Sequence, residues 1–255
     1  DMARRFQVGV QLHPQQTTMA ALRDAWTRAE ELGVDSIWTW DHFFPLYGDA
    51  EGPHFEGWSV LAAMAATTTR ARIGAMVTCD TYRNPELLAD MARTCDHLSG
   101  GRMYLGVGAG WFERDYTEYG YDFATAGERL RRLGDDLPRI KARLGALNPQ
   151  PLGPLPILVG GSGEKVTLAL VARHADAWNT FGPPESYAQK NRVLDQWCDD
   201  VGRDPAEIER TVCVGDGDYA RWEEFVDAGA THVILMCGEP FDFSKLEELL
   251  AWAES

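Results

Sequence analysis

The chain has 255 residues, of which 45% are hydrophobic, and its 39 acidic against 24 basic residues leave a formal charge of −15. Such acidity disfavours nucleic acid and anionic membranes as partners, since both repel a net-negative surface, and an anionic ligand would need a local site of backbone N–H groups or a few Arg and Lys side chains. No apolar run reaches the roughly 20 residues that span a bilayer, and the basic start Asp1-Met2-Ala3-Arg4-Arg5 leads into a strand pattern and not into an apolar signal segment.

Eight strand-then-helix units can be read in order. The spacing predicts a strand over Phe6–Leu12 and a helix over Thr18–Leu32, then a strand over Asp35–Trp40 and a helix over Trp58–Thr68. A strand over Arg72–Thr78 precedes a helix over Pro85–Leu98, with Pro85 at a first-turn position where its missing N–H costs nothing. Met103–Val107 pairs with a helix over Ala126–Leu144, Ile157–Val159 with Gly163–His174, and Ala177–Thr180 with Glu185–Val201. The last two units are Thr211–Val214 with Tyr219–Ala228, and His232–Met236 with Ser244–Ala253. Gly33, Gly100-Gly101, Gly202 and Gly229 fall where helices should stop. Strict alternation implies parallel strands joined by right-handed crossovers, and the near-continuous apolar strands imply cover on both faces. Eight units in this length predict a single α/β domain over residues 1–255, a (β/α)8 TIM barrel, with a doubly wound open sheet as the alternative.

Barrel enzymes place their chemistry at the carboxyl ends of the strands. Those ends gather His13, Asp41 and His42, Thr78 to Asp80, Gly110, Trp111 and Glu113, Gly160 to Gly163, Asn179 and Thr180, Gly215 and Asp216, and Cys237 and Gly238. At Trp40-Asp41-His42-Phe43-Phe44-Pro45 a strand runs straight into an acid and an imidazole, a pair able to bind a ring, move a proton or ligate a metal. The plain structural reading is an Asp that caps the next segment over a packed His. A metal site is disfavoured: His13 precedes Pro14 with no His-x-His pair, His54 is within a long loop, and His97, His174 and His232 belong to the opposite end. The five cysteines (Cys79, Cys95, Cys198, Cys213, Cys237) form no Cys-x-x-Cys pair and fit free thiols in a reducing cytoplasm, with Cys79 alone at a place where reactivity is conceivable.

Pro156 to Lys165 is a buried strand entering a Gly160-Gly161-Ser162-Gly163 turn that opens into a helix. Backbone N–H groups at such a turn bind phosphate without a positive side chain; the alternative is a tight connection only. Gly106-Val107-Gly108-Ala109-Gly110-Trp111 is a second glycine-rich strand end, which either lets a flat ring lie close or serves packing at the rim. The long connections Asp41 to Gly57 and Gly110 to Thr125 carry rings and charges, and are candidate lids and substrate walls.

These phrases, together with Val77-Thr78-Cys79-Asp80-Thr81-Tyr82-Arg83-Asn84-Pro85 and Asp96-His97-Leu98-Ser99-Gly100-Gly101-Arg102, resemble the bacterial-luciferase-like superfamily over essentially the whole chain. The likeness is to its deazaflavin-dependent (coenzyme F420) oxidoreductase branch, common in actinobacteria. It implies a hydride-transfer enzyme acting on a small organic substrate, with an FMN-dependent monooxygenase as the alternative and a non-catalytic binder as a third reading. It implies that Asp41 and His42 lie against the deazaflavin ring, with His42 as the ring-proximal acid and Asp41 fixing its tautomer or touching the ring. It further implies ring contacts from Thr78, Gly110 and Trp111, a non-prolyl cis peptide within Ala75, Met76 and Val77, and a phosphate held at Gly160, Gly161, Ser162 and Gly163 with Thr180 nearby. Related sugar-phosphate dehydrogenases carry a glutamate where this chain has Trp111, which leaves Glu113 as a substitute acid. A cytoplasmic homodimer is the expected assembly.

Overall fold

Strands and helices alternate along the whole computed structural model, which describes residues 4–255. β1 (Gln7–Leu12) leads to α1 (Met19–Leu32), and β2 (Ser36–Thr39) to α2 (Gly57–Thr67). β3 (Arg72–Ala75) and the short β4 (Thr78–Cys79) precede α3 (Pro85–Ser99). β5 (Leu105–Gly108) is followed by two helices, α4 (Glu113–Tyr119) and α5 (Ala126–Ala146). Then come β6 (Ile157–Gly160), α6 (Thr167–His174), β7 (Ala177–Thr180) and α7 (Pro184–Val201). The chain closes with β8 (Glu209–Val214), α8 (Trp222–Asp227), β9 (His232–Cys237) and α9 (Ser244–Glu254).

Neighbouring strands all pair in parallel, in the order β3-β2-β1-β9-β8-β7-β6-β5-β4. The two edges meet where Ile73 bridges Met103: Ile73 N–H donates to Arg102 O at 3.0 Å and Tyr104 N–H to Ile73 O at 2.7 Å. β3 and β4 are the two parts of the third strand expected over Arg72–Thr78, broken by a cis peptide between Met76 and Val77. The expected (β/α)8 barrel is therefore present, with nine strands because one of eight is interrupted. Among the described residues no helix is long and apolar enough to cross a membrane.

Side chains alternate between two cores. Val8, Val10, Ile37, Ile73, Val107 and Val159 face outward to the helices. Trp38, Met76, Tyr104, Leu158, Cys213 and Ile234 fill the barrel interior. Below them a buried polar chain closes the amino-terminal end. Trp38 Nε1–H donates to Ser36 Oγ at 2.7 Å, Ser36 Oγ lies 2.8 Å from His232 Nε2, and His232 Nδ1 lies 2.8 Å from Glu209. Because the carboxylate takes the Nδ1 proton, Nε2 accepts from the serine hydroxyl. The packing there admits no side chain at position 9: a Cβ on Gly9 would stand 2.3 Å from Ser36 Oγ. His232 is thus structural and lies away from the strand carboxyl ends, as its position at the start of a strand implied.

Three elements depart from the sequence reading. α4 lies inside what reads as the loop Gly110 to Thr125; its sequence, Glu-Arg-Asp-Tyr-Thr-Glu-Tyr, is too short and too polar to show a helical apolar stripe. α6 begins at Thr167 and not at Gly163, because residues 164–166 form a turn first. The helix expected over Tyr219–Ala228 is a 3₁₀ turn, Tyr219–Arg221, followed by the short α8.

Candidate active site

A cavity of about 470 Å³ opens at the carboxyl ends of the strands. Its walls include Gln11, His13, Trp40 to His42, Leu46, Tyr47, Met76, Val77, Cys79, Gly108 to Trp111, Gly160, Gly161, Asn179 and Met236. Pockets of this size hold small organic molecules and cofactor rings. Of the sequence-predicted residues, Asp41, His42, Met76, Val77, Gly110, Trp111, Gly160 and Gly161 line it. Ala75, Thr78, Glu113, Ser162, Gly163 and Thr180 do not.

His42 sits in a ring cage, edge-on to Trp40, Trp111 and Phe112 at centroid distances of 5.8, 5.7 and 5.6 Å. Its Nδ1 lies 2.7 Å from Asp115 Oδ2. Asp115 is fully buried in the first turn of α4 and accepts more besides: Phe43 N–H at 3.0 Å, Phe44 N–H at 3.2 Å and Tyr82 O–H at 2.9 Å. A carboxylate has no proton to give, so Nδ1–H of His42 is the donor and Nε2 is left for the cavity. No protein group among the described residues bonds Nε2.

The expected role of Asp41 as the group that sets the His42 tautomer is corrected by this geometry. Asp41 faces the other way, into a bidentate pair with Arg83 (2.6 and 3.0 Å), and accepts the Cys79 N–H at 3.0 Å. Two parallel charge-assisted bonds and a backbone bond fill its lone pairs and tie the end of β2 to the end of β4. Asp41 thus lines the cavity as an already neutralised carboxylate. The residue that sequence reasoning missed is Asp115; the only signal for it would have been a helix start in the loop, since an acid in a first turn is favoured there. Glu113, the expected substitute acid, is exposed and opens α4 outside the cavity. Thr78 is buried with its Oγ1 unpartnered and lies behind the wall.

The glycines divide by function. Val77 pushes its side chain between two strands, and a Cβ on Gly108 or Gly160 would come within 2.7 or 2.8 Å of its methyl groups. A Cβ on Gly106 would stand 2.0 Å from Ala75 O. The Gly106–Gly110 run therefore answers to close packing around the break in the third strand. At the other run, Gly161 N–H is already bonded to Asn179 O at 3.0 Å, and its carbonyl accepts Trp178 Nε1–H at 2.8 Å. The open donors begin one residue later. Among the described residues no backbone acceptor takes the N–H groups of Ser162, Gly163, Glu164 or Lys165, which precede α6. That turn fits a phosphate group.

Cys79 also lines the cavity, but burial pushes its thiol pKa up, and Thr81 Oγ1 (3.3 Å) and Tyr116 Oη (3.1 Å) surround the sulfur. It is a neutral thiol at pH 7, not a nucleophile. His13 stacks on Trp40 at 4.4 Å, and burial lowers its pKa to about 4. His54 accepts Trp40 Nε1–H at 3.0 Å and is likewise lowered to about 4, chiefly by burial. Among the described residues no three His, Cys, Asp or Glu side chains converge as metal ligands. A second concavity, of about 610 Å³, shares Tyr82 with the first; its lining includes Arg83, Arg129 and Arg132 together with Asp122 and Glu128.

Comparison with known proteins places this arrangement. The family model for luciferase-like monooxygenases matches residues 2–248. The chain belongs to that family. Within it, an uncharacterized protein of Mycobacterium tuberculosis (strain ATCC 25618 / H37Rv) is 29% identical over 215 residues, 74% of each chain. An F420-dependent glucose-6-phosphate dehydrogenase of Amycolatopsis mediterranei (strain U-32) is 36% identical over 116 residues, 45% of this chain and 34% of that one. A solved F420-dependent secondary alcohol dehydrogenase, in complex with an F420-acetone adduct, superposes with a TM-score of 0.86 over 97% of this chain and 99% of the other at 18% identity. At that identity the likeness is one of fold.

Proposed function

We propose that the protein is an oxidoreductase that transfers a hydride between coenzyme F420 and an uncharged, largely apolar organic substrate. The observation that carries this reading is His42: its Nδ1 is locked on buried Asp115, and its Nε2 is left for a largely apolar cavity. Bound F420 supplies the hydride chemistry. The chain's own residues supply the rest. The open N–H groups of Ser162 to Lys165 hold the cofactor's phosphate. Val77, Gly108 to Trp111 and Trp40 form the walls that orient a flat ring and keep water from it. His42 Nε2 gives or takes the proton that accompanies the hydride at the substrate heteroatom, which is general acid–base work.

The substrate class follows from charge. The lining includes no Lys, Arg or Glu, its one carboxylate is paired with Arg83, and His13 is neutral. An anionic substrate would enter without a counter-charge, and burying an unpaired charge costs far more than an apolar wall returns. This separates the cavity from one built for sugar phosphates, and Trp111 in place of a glutamate agrees with that.

Titration of the purified protein with F420 and with FMN tests the reading, followed by turnover of neutral ketones and alcohols. We expect F420 to bind more tightly, and His42→Ala to bind it equally well while losing on the order of 10² or more in turnover. An undiminished rate in His42→Ala rejects the assigned role. Preference for FMN, with oxygen consumed by the reduced form, supports a monooxygenase instead, as the family's description allows.

A further inference from the structure

The cavity wall made by the end of β1 and the β2–α2 connection carries a hydrogen-bonded chain that the hydride-transfer reading does not use. Gln11 Nε2 lies 2.8 Å from Met76 O, Gln11 Oε1 lies 3.2 Å from His13 Nε2, and His13 Nδ1 meets Tyr47 Oη. All three side chains line the cavity. The direction of every bond in this chain is set at its far end. A backbone carbonyl has only lone pairs, so Gln11 must turn its NH₂ to Met76. That leaves the amide oxygen facing His13, so Nε2 must hold the imidazole proton. Nδ1 is then a bare lone pair, and the Tyr47 hydroxyl must donate to it. No step can reverse while Met76 O stays where it is.

We infer that this relay makes Tyr47 Oη a pure hydrogen-bond acceptor toward the cavity, so that the site selects a ligand presenting an O–H or N–H group there. A phenol has one proton. Once His13 takes it, only oxygen lone pairs remain for the ligand. A carbonyl, ether, carboxylate or phosphate placed against Tyr47 would meet lone pair against lone pair, whereas an alcohol, phenol or amine N–H would complete the chain. The imidazole cannot undo this by gaining a second proton, because burial keeps His13 neutral at working pH. Burial likewise pushes the Tyr47 phenol up to about 12, so it remains a neutral hydroxyl. Gly238 borders the oxygen: a Cβ there would stand 3.1 Å from Tyr47 Oη, so glycine leaves room for a ligand atom at that point. Tyr47 comes from the β2–α2 connection and is positioned through its backbone, its carbonyl accepting Gln15 Nε2–H and Gln16 Nε2–H at 3.1 Å each.

Two measurements on the protein without cofactor test the inference. ¹⁵N NMR of the histidine side chains should show His13 with a protonated Nε2 and a bare Nδ1 throughout pH 6–8; the opposite tautomer, or an imidazolium, overturns the relay. Quenching of tryptophan fluorescence by 2-naphthol and by 2-methoxynaphthalene, a pair differing in one donor hydrogen, tests the selection. Wild type should bind the naphthol about 3- to 10-fold more tightly, the effect of one hydrogen bond. Tyr47→Phe should bind the two alike, with the ether bound no more weakly than by wild type. Equal binding by wild type, a naphthol preference that survives in Tyr47→Phe, or no saturable binding of either compound overturns the selection. Neither measurement involves turnover or F420, so failure here leaves the hydride-transfer reading intact, and failure of that reading leaves these results standing.

Discussion

Asp115→Asn is the most searching change available, because it separates the two aspartates that stand near His42. The wild-type carboxylate accepts from His42 Nδ1, Tyr82 Oη and two backbone N–H groups. An asparagine can keep the Phe43 and Phe44 N–H bonds with its amide oxygen, but its NH₂ then faces Nδ1. Two donors cannot share a bond, so His42 must move its proton to Nε2. The ring that offered the cavity a lone pair now offers it an N–H. Loss of a buried charge-assisted bond, with partial replacement by neutral ones, should cost about 1–3 kcal/mol of folding stability. Turnover should fall further, by about 10²–10⁴, because the wrong tautomer disables general base catalysis. Asp41→Asn is the control. It removes the bidentate partner of Arg83, a mostly buried guanidinium, leaving Glu56 at 3.8 Å, and should cost about 2–5 kcal/mol in stability, yet His42 should keep its proton on Nδ1. The assay is ¹⁵N NMR of the imidazole in each protein, with urea denaturation alongside. The reasoning fails if His42 keeps Nδ1–H in Asp115→Asn, or if Asp41→Asn moves the proton.

Further outcomes are expected elsewhere in the chain. Asp80 is fully buried with both carboxylate oxygens unpartnered, and burial together with the charge of Asp136 raises its pKa from 3.8 to about 7. A carboxyl with a raised folded-state pKa contributes stability that is complete below its unfolded value and is lost as pH rises through the folded one. Relative to Asp80→Asn, wild-type stability should thus decline between about pH 4 and pH 7, since the lowered His13 and His54 act equally in both proteins, and the variant should be more stable at pH 8 by about 4 kcal/mol; parallel pH profiles in thermal denaturation would refute this. Gly160→Ala should destabilise by about 1–3 kcal/mol through overpacking against Val77, and Val77→Ala in the same chain should recover most of the loss; a double-mutant cycle showing simple additivity would sink the assignment. At pH 7 Cys79 should resist a disulfide-exchange reagent in the folded protein and react once the chain is unfolded in guanidinium, and rapid native labelling would count against its neutral thiol state.

The barrel was legible because its signals are local. Apolar runs such as Ile157 to Val159 and glycine stops such as Gly33, which adopts φ 90° at the end of α1, depend on a few neighbouring residues. The ends of the strands followed at once, and with them Asp41, His42, Trp111 and the glycine turn. The partners of those residues were not legible, because partnership depends on loops that fold back over long sequence distances. Asp41 finds Arg83 42 positions away and His42 finds Asp115 73 positions away. Adjacency in sequence suggested that Asp41 serves His42. Successive residues of an extended segment point to opposite sides, however, and this pair diverges as that alternation requires. The glycines left two readings open for a related reason. A missing side chain beside a cavity reads as space for a ligand, whereas here the space at Gly108 and Gly160 is filled by Val77 from a neighbouring strand.

The same alternation explains how an acidic protein keeps a neutral site. Its two cavity-facing imidazoles flank Trp40, one stacked on it at 4.4 Å and the other edge-on at 5.8 Å. Each is given a direction by its partner: a carboxylate holds Nδ1 of His42, and a backbone carbonyl, acting through Gln11, holds Nε2 of His13. The polarity presented to a ligand is therefore fixed by the partners of the two rings. Long-range fields from the surface charge are screened over about 8–10 Å at physiological salt. The bonds at these two rings are shorter than that by a factor of three. Changing surface carboxylates such as Glu223 or Asp199 should alter solubility and association, while ligand preference should respond to Asp115 and Gln11.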